Sequence, residues 1–209
     1  MFFEILGKIP TVVGVGCSGG VDSLAIVHFL IQNRSRQVHM HYIWHNIPDS
    51  QPSLDTVKRF FEKHSAEYKN LFFHYHEMPE PDSGVNDEHF WHKERYKIFN
   101  SLPYDVITGH HIGDQCETWI MGALNGNAFL IPYRTKNVIR PFLLCEKSKF
   151  VDYCCKHSVQ YYTDEYNSDL SYRRNRIRHE VMPTLENIHP GFVTTMKNKT
   201  RSAYYASMQ

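Results

Sequence analysis

Four times within its first 124 residues the chain passes from a short β-branched or aromatic run into a longer segment with helical spacing. Residues 11–16 (TVVGVG) form a buried-strand pattern and 21–32 a helix. Residues 37–44 (QVHMHYIW) alternate as a strand does, and 53–68 space Leu54, Val57, Phe60 and Phe61 along one helical face. Residues 71–75 (LFFHY) and 104–108 (YDVIT) predict two more strands. Residues 86–102 and 112–124 predict the helices that follow them. Repeated strand–helix alternation demands right-handed crossovers, and hence an open, mostly parallel α/β sheet with helices on both faces.

Beyond residue 125 the pattern loosens. Pro132 and Pro141 punctuate a connection, 146–157 returns as a helix, and 160–162 reads as a short strand. A basic helix over 173–188 is interrupted by Pro183, and a last helix starts near Pro190. Residues 77–88 (EMPEPDSGVNDE) read as an acidic loop. No internal repeat or low-complexity tract is present. The expected organisation is an α/β body over 1–170 with a helical extension of the same domain over 171–209.

Charge divides along the same line. Residues 171–209 carry seven Lys/Arg against Glu180 and Glu186, a balance of +5. The whole chain is only +1, which leaves −4 on residues 1–170. A basic end on a mildly acidic body suits a polyanion partner; the alternative is a solvated helix face. Five cysteines at 17, 116, 145, 154 and 155 have no framework spacing, which predicts free thiols and a reducing, cytoplasmic setting. No apolar run is long enough for a membrane span, and the start of the chain lacks a basic leader.

Chemistry begins at Gly14-Val-Gly16-Cys-Ser18-Gly19-Gly20-Val21-Asp22-Ser23, between the first strand and its helix. Glycine-rich backbone at a helix N-terminus offers N–H groups to phosphate oxygens. Gly14-x-Gly16-x-x-Gly19 formally matches the dinucleotide fingerprint. That site wants an acidic residue after the second strand, where this chain has Trp44 and His45. The triphosphatase loop fails as well, because no lysine lies between Lys8 and Arg34. The third pattern, Ser18-Gly19-Gly20-Val21-Asp22-Ser23, resembles the pyrophosphate loop of the N-type ATP pyrophosphatases. Hydroxyls and amides there suit pyrophosphate, and a carboxylate among them makes sense as a partner of Mg²⁺. The alternative is a glycine turn with Asp22 as a helix cap.

After the fourth strand comes Gly109-His110-His111-Ile-Gly113-Asp114-Gln-Cys-Glu117-Thr118. In an open parallel sheet this strand end can neighbour the first, which would bring His110, Asp114 and Glu117 beside the phosphate loop. Asp114 and Glu117 share a helix face. A metal site is disfavoured by the lack of further matched ligands. Further on, Asp164-Glu-Tyr-Asn167-Ser-Asp169 precedes Arg173-Arg174-Asn175-Arg176-Ile177-Arg178-His179, with Pro183 and Leu185 downstream. These segments, with Arg95-Tyr96 and Ile139-Arg140-Pro141, closely resemble the tRNA(Ile)-lysidine synthetases over nearly the whole chain. Three departures stand out. Trp44-His45-Asn46-Ile47-Pro48 keeps only the His of the family's Asp-His-Gly-Leu-Arg, Gly113 replaces an Asp, and 122–127 lacks an Arg-Gly-x-Gly stretch. Family members generally continue into a further helical domain, so the resemblance implies a catalytic domain alone or a shortened relative.

The resemblance implies a PP-loop ATP pyrophosphatase fold and the use of ATP with Mg²⁺. The phosphates would lie on Ser18, Gly19, Gly20, Val21, Asp22 and Ser23, and the adenine by Gly16 and His45. It implies that a wobble cytidine of tRNA is adenylated and that free L-lysine then displaces AMP. Asp22 (through metal) and Arg95 would serve pyrophosphate departure, Asp114 and Glu117 would hold lysine, and His110 would handle a proton or a phosphate. Arg174, Arg176 and Arg178 would face the α-phosphate or RNA, with Arg176 on the helix face opposite the other two. A homodimer or helper protein would replace the missing tRNA-binding domain. The alternatives are a relative that thiolates or amidates another base or small molecule, or a non-catalytic nucleotide-binding module. Against thiolation, the cysteines form no CxxC pairs; Cys116, Cys145, Cys154 and Cys155 read as buried small residues.

Overall fold

The computed structural model describes residues 2–45, 50–79 and 87–208, and the side chains of 87–89 and 165 lie outside that description. Strands β1 (Val12–Gly16), β2 (Gln37–Trp44), β3 (Leu71–Glu77) and β4 (Val106–Ile107) alternate with helices α1 (Val21–Ile31), α2 (Gln51–Ser65) and α3 (Asp87–Ser101). Helix α4 (Ile112–Leu124) follows, then a small hairpin of β5 (Arg134–Thr135) and β6 (Val138–Ile139), then α5 (Lys147–His157). The strand order is β3-β2-β1-β4-β6-β5, parallel throughout except for the β5–β6 pair. The chain winds outward from β1 to β3, then crosses back to β4 on the other side of β1. This reversal opens a crevice beyond the carboxyl ends of β1 and β4, where open α/β sheets bind ligands.

Helix α1 carries apolar residues on nearly every side. Leu24, Ala25, Ile26, Val27, Leu30 and Ile31 are all buried between the sheet and α5. Such a helix can only be internal, and it fixes the phosphate loop rigidly against Val13 and Val15 of β1. Its one ring-bearing polar residue, His28, is satisfied by the Tyr153 hydroxyl of α5 at 2.9 Å.

Beyond α4 the structure departs from the sequence-based expectation in three places. Residues 160–162 form no strand; instead the Tyr162 amide donates to the Gly19 carbonyl at 2.9 Å, tying this segment to the phosphate loop. The β5–β6 hairpin inside the Pro132–Pro141 connection was not expected, because two-residue strands leave no periodicity to read. The basic helix is three pieces: α6 (Arg173–Arg176), a π-helical turn (Ile177–Val181) and α7 (Met182–Ile188). Pro183 stands in the first turn of α7, directly after the π-helical turn. Helix α8 (Phe192–Ala206) packs on α4, burying Met196 against Ile112 and Cys116. Residues 46–48 and most of the acidic 77–88 segment lie outside the described residues. Among the described residues no helix is long and apolar enough to cross a membrane.

Candidate active site

The crevice at the strand reversal holds a cavity of about 310 Å³. The phosphate loop forms one wall. Gly19 adopts φ +80°, and a side chain there would meet the Ser53 carbonyl at 2.8 Å, so this turn admits glycine alone. The N-cap of α1 is Gly20, and no side chain caps the helix. Asp22 therefore does not serve as a cap. Its Oδ2 meets Lys147 Nζ at 2.5 Å, while its Oδ1 is buried with no hydrogen-bond partner. Ser23 donates its hydroxyl to the Gly20 carbonyl at 2.9 Å, and Ser18 stays exposed at the cavity edge.

An unpartnered carboxylate oxygen beside a phosphate loop fits a hard divalent cation such as Mg²⁺, shared with phosphate oxygens and water. Among the described residues no three His, Cys, Asp or Glu gather into a metal centre, so protein ligation there would rest on Asp22.

The opposite wall comes from α3. Arg95 faces the cavity and, among the described residues, makes no ion pair; burial alone lowers its guanidinium pKa. Its neighbour Tyr96 accepts from Arg140 Nη2 at 2.7 Å. Arg140 also donates to the Pro132 carbonyl and the Thr135 hydroxyl. Arg140 and Tyr96 thus frame the wall, and Arg95 supplies its charge. His45, edge-on to Trp91, is pushed down to about 4 by burial and then by Arg95.

Helix α4 starts at the cavity with a reciprocal cap. The Gly113 amide donates to His111 Nδ1 at 3.0 Å, and Asp114 Oδ2 accepts from the His111 amide at 2.9 Å. A Cβ at position 113 would lie 2.7 Å from the His111 ring, so glycine at this position lets the imidazole fold back. Burial would raise the Asp114 carboxyl, but His111, His110, Arg174 and the capping amide outweigh it and hold it low. His110, bonded to the Thr108 hydroxyl at 2.8 Å, is pushed down to about 4, chiefly by burial.

Glu117 is 2% exposed and does not line the cavity. Its two oxygens accept from Arg174 Nε and Arg178 Nε, each at 2.7 Å. Asp114 Oδ1 lies 3.6 and 3.8 Å from the same two guanidinium groups. Arg176 turns away and pairs with Glu180, as helical spacing requires. The preceding segment serves as a frame for these arginines. Asp164 and Asp169 cap turns at Tyr166 and Ser171, and Asn175 ties both turns to α6 through the carbonyls of Tyr166 and Asp169.

Of the residues expected from sequence, the cavity gathers Gly16, Ser18, Asp22, Ser23, His45, Arg95, His110, Asp114 and Arg178. A second cavity of about 680 Å³, across the loop, takes in Gly20 and Val21. Lys147 and Asn167 line both cavities; Asn167 was named only as part of the Asp164–Asp169 motif, and Lys147 was not singled out. Lys147 carried one signal: a lysine opening a helix just after Ile139-Arg140-Pro141, where a positive charge is unfavourable.

The model of the PP-loop domain matches residues 6–185. The chain belongs to the PP-loop family. Its relatives include the tRNA(Ile)-lysidine synthase of Lactiplantibacillus plantarum, 31% identical over 204 residues that cover 90% of this chain and 44% of that protein. The tRNA(Ile)-lysidine synthase of Francisella philomiragia is 28% identical, covering 95% and 52%. The chain spans about half the length of the curated relatives it matches. Among solved structures, the U34-tRNA thiolase NcsA of Methanococcus maripaludis with its [4Fe-4S] cluster superposes with a TM-score of 0.74. It is 18% identical, with coverage of 97% of this chain and 74% of that one. The NH3-dependent NAD synthetase of Campylobacter jejuni gives 0.51 at 15% identity, covering 94% and 87%. Both share the fold of this PP-loop chain.

Proposed function

We propose that this PP-loop protein is an ATP-dependent, tRNA-modifying ligase of the lysidine-forming kind. The observation that carries the reading is one cavity that joins opposite chemistries. The phosphate loop and Arg95, which makes no ion pair among the described residues, line it together with the negatively charged Asp114.

ATP would lie with its phosphates on residues 18–23 and its adenine by Gly16 and His45. The O2 of a wobble cytidine attacks the α-phosphorus, and the bond to the β-phosphate oxygen breaks to release pyrophosphate. The ε-amine of free lysine then attacks carbon 2 of the adenylated base and expels AMP. Mg²⁺ bound near Asp22 would supply charge neutralisation to the departing phosphates. Arg95, already desolvated and in no ion pair among the described residues, adds a second positive charge.

Asp114 faces the cavity and suits an incoming ammonium group. Glu117 lies behind Arg174 and Arg178, so lysine would reach it only if one arginine swings aside. Support for an amine over a sulfur nucleophile comes from the cysteines. Burial pushes Cys17, which lines the cavity, up to about 11 and Cys116, Cys145 and Cys154 up to about 12, where no useful thiolate forms; Cys155, expected from sequence to be buried, is exposed instead. The test is AMP and pyrophosphate release from ATP. Pyrophosphate release that requires tRNA, together with AMP release that also requires lysine, supports the reading; release of both without tRNA or without lysine points to a different acceptor.

A further inference from the structure

The ion pair between Lys147 and Asp22 stands where the two cavities meet. Its placement is unfavourable for the helix that carries Lys147. Helix α5 opens with Lys147 and Lys149, has no acidic residue in its first turn, and lacks a side-chain cap. A cation at that end opposes the helix dipole. Lys147 is half-exposed, free to extend into water, yet its ammonium turns inward onto a carboxylate of the phosphate loop. It occupies one oxygen of Asp22 while the other lies buried and unpartnered. A divalent ion arriving at that carboxylate therefore meets a competitor already in place.

We propose that Lys147 is a pyrophosphate-binding residue that holds Asp22 in the nucleotide-free protein and moves to the β- and γ-phosphates once a metal takes its place. This deepens the reading of the site as an ATP pyrophosphatase and rests on it. The larger cavity is the natural seat for those phosphates. The start of α1 at Gly20 and Val21 opens on it, and Ser18, Arg178 and His179 add donors around Lys147. When the bond between the α-phosphorus and the bridging oxygen breaks, its electron pair passes to pyrophosphate. The Lys147 ammonium then faces that added negative charge, and the freed Asp22 remains with the metal.

The test is calorimetric titration of sodium pyrophosphate, in the presence of Mg²⁺, into the wild-type protein, Lys147→Gln and Lys147→Arg. Loss of one charge-assisted contact predicts about ten- to hundredfold weaker pyrophosphate binding in Lys147→Gln and substantial rescue in Lys147→Arg. A second readout is the Mg²⁺ concentration that half-saturates ATP–pyrophosphate exchange, which falls in Lys147→Gln because the competitor on Asp22 is gone. Wild-type affinity in Lys147→Gln, equal loss in both variants, or an unchanged Mg²⁺ requirement overturns the proposal. A wild-type protein that binds no pyrophosphate is a separate outcome, which overturns the reading of the loop itself.

Discussion

Arg178 closes on Glu117 across 61 residues of sequence, donating from Nε to Oε1 at 2.7 Å and from Nη2 to Oε2 at 3.0 Å. Arg174 completes the arrangement from the same side. Burial would weaken the Arg178 charge, but the Glu117 hydrogen bond and its negative charge raise its pKa above the ordinary value. The basic segment is thereby anchored to α4 by one buried carboxylate, and both guanidinium groups stay partly open to solvent.

Glu117→Gln leaves two partly exposed arginines without their counter-charge. The expected cost is about 1–3 kcal/mol of folding stability, a value moderated by solvent screening. Asp114→Asn behaves differently, because an asparagine oxygen still caps the His111 amide. It should slow lysine transfer about ten- to hundredfold while affecting ATP–pyrophosphate exchange less. Urea unfolding and the two half-reactions separate these effects; equal loss in both half-reactions for Asp114→Asn would place that carboxylate on the metal instead.

Asp22→Ala should abolish ATP–pyrophosphate exchange with little change in unfolding free energy. The ion pair it removes is partly exposed, and such pairs contribute about 1 kcal/mol or less. An active Asp22→Ala protein contradicts the metal role.

Much of this geometry was legible beforehand, and the reasons are physical. The four strand–helix units announce themselves through periodicity, and Gly19 through a turn that tolerates no side chain. Helical spacing separates Arg176 from Arg174 and Arg178 without coordinates. The sequence did not show that Arg174 and Arg178 converge on Glu117, because ion pairs across 57 and 61 residues depend on the path of the intervening turns. Nor did it show that Arg140 donates to the Tyr96 hydroxyl, 44 residues away, because that contact too depends on the path of the intervening chain. Lys147 escaped because its meaning comes from Asp22, 125 residues away.

Stability should fall in mild acid. Burial, reinforced by His74, His76 and His39, pushes His41 down to about 3. Burial, with His64, His157 and Lys63, pushes His28 down to about 4. An unfolded histidine titrates near 6.5. Between that pH and the folded values the unfolded chain binds protons that the native chain refuses. The contribution is therefore complete above about pH 6.5 and is lost as pH falls toward 4, at up to about 1.4 kcal/mol per pH unit for each group. Urea midpoints at pH 7.5, 6 and 5 check this, and His28→Phe should flatten the profile. A midpoint independent of pH contradicts it.

Arg173 is exposed and, among the described residues, makes no ion pair. If it tracks an RNA backbone, Arg173→Ala should weaken tRNA binding and make the plot of log K against log salt shallower by about 0.7, with ATP affinity unchanged. An unchanged slope removes Arg173 from the interface.

The central claim is that one cavity joins a phosphate-activated base to an amine. Incubation of the protein with ATP, Mg²⁺, radiolabelled lysine and total tRNA tests it most directly. ATP-dependent transfer of label into RNA is expected, abolished in Asp22→Ala and strongly reduced in Asp114→Asn. Consumption of ATP with no label in RNA, under conditions where the protein binds tRNA, would contradict it.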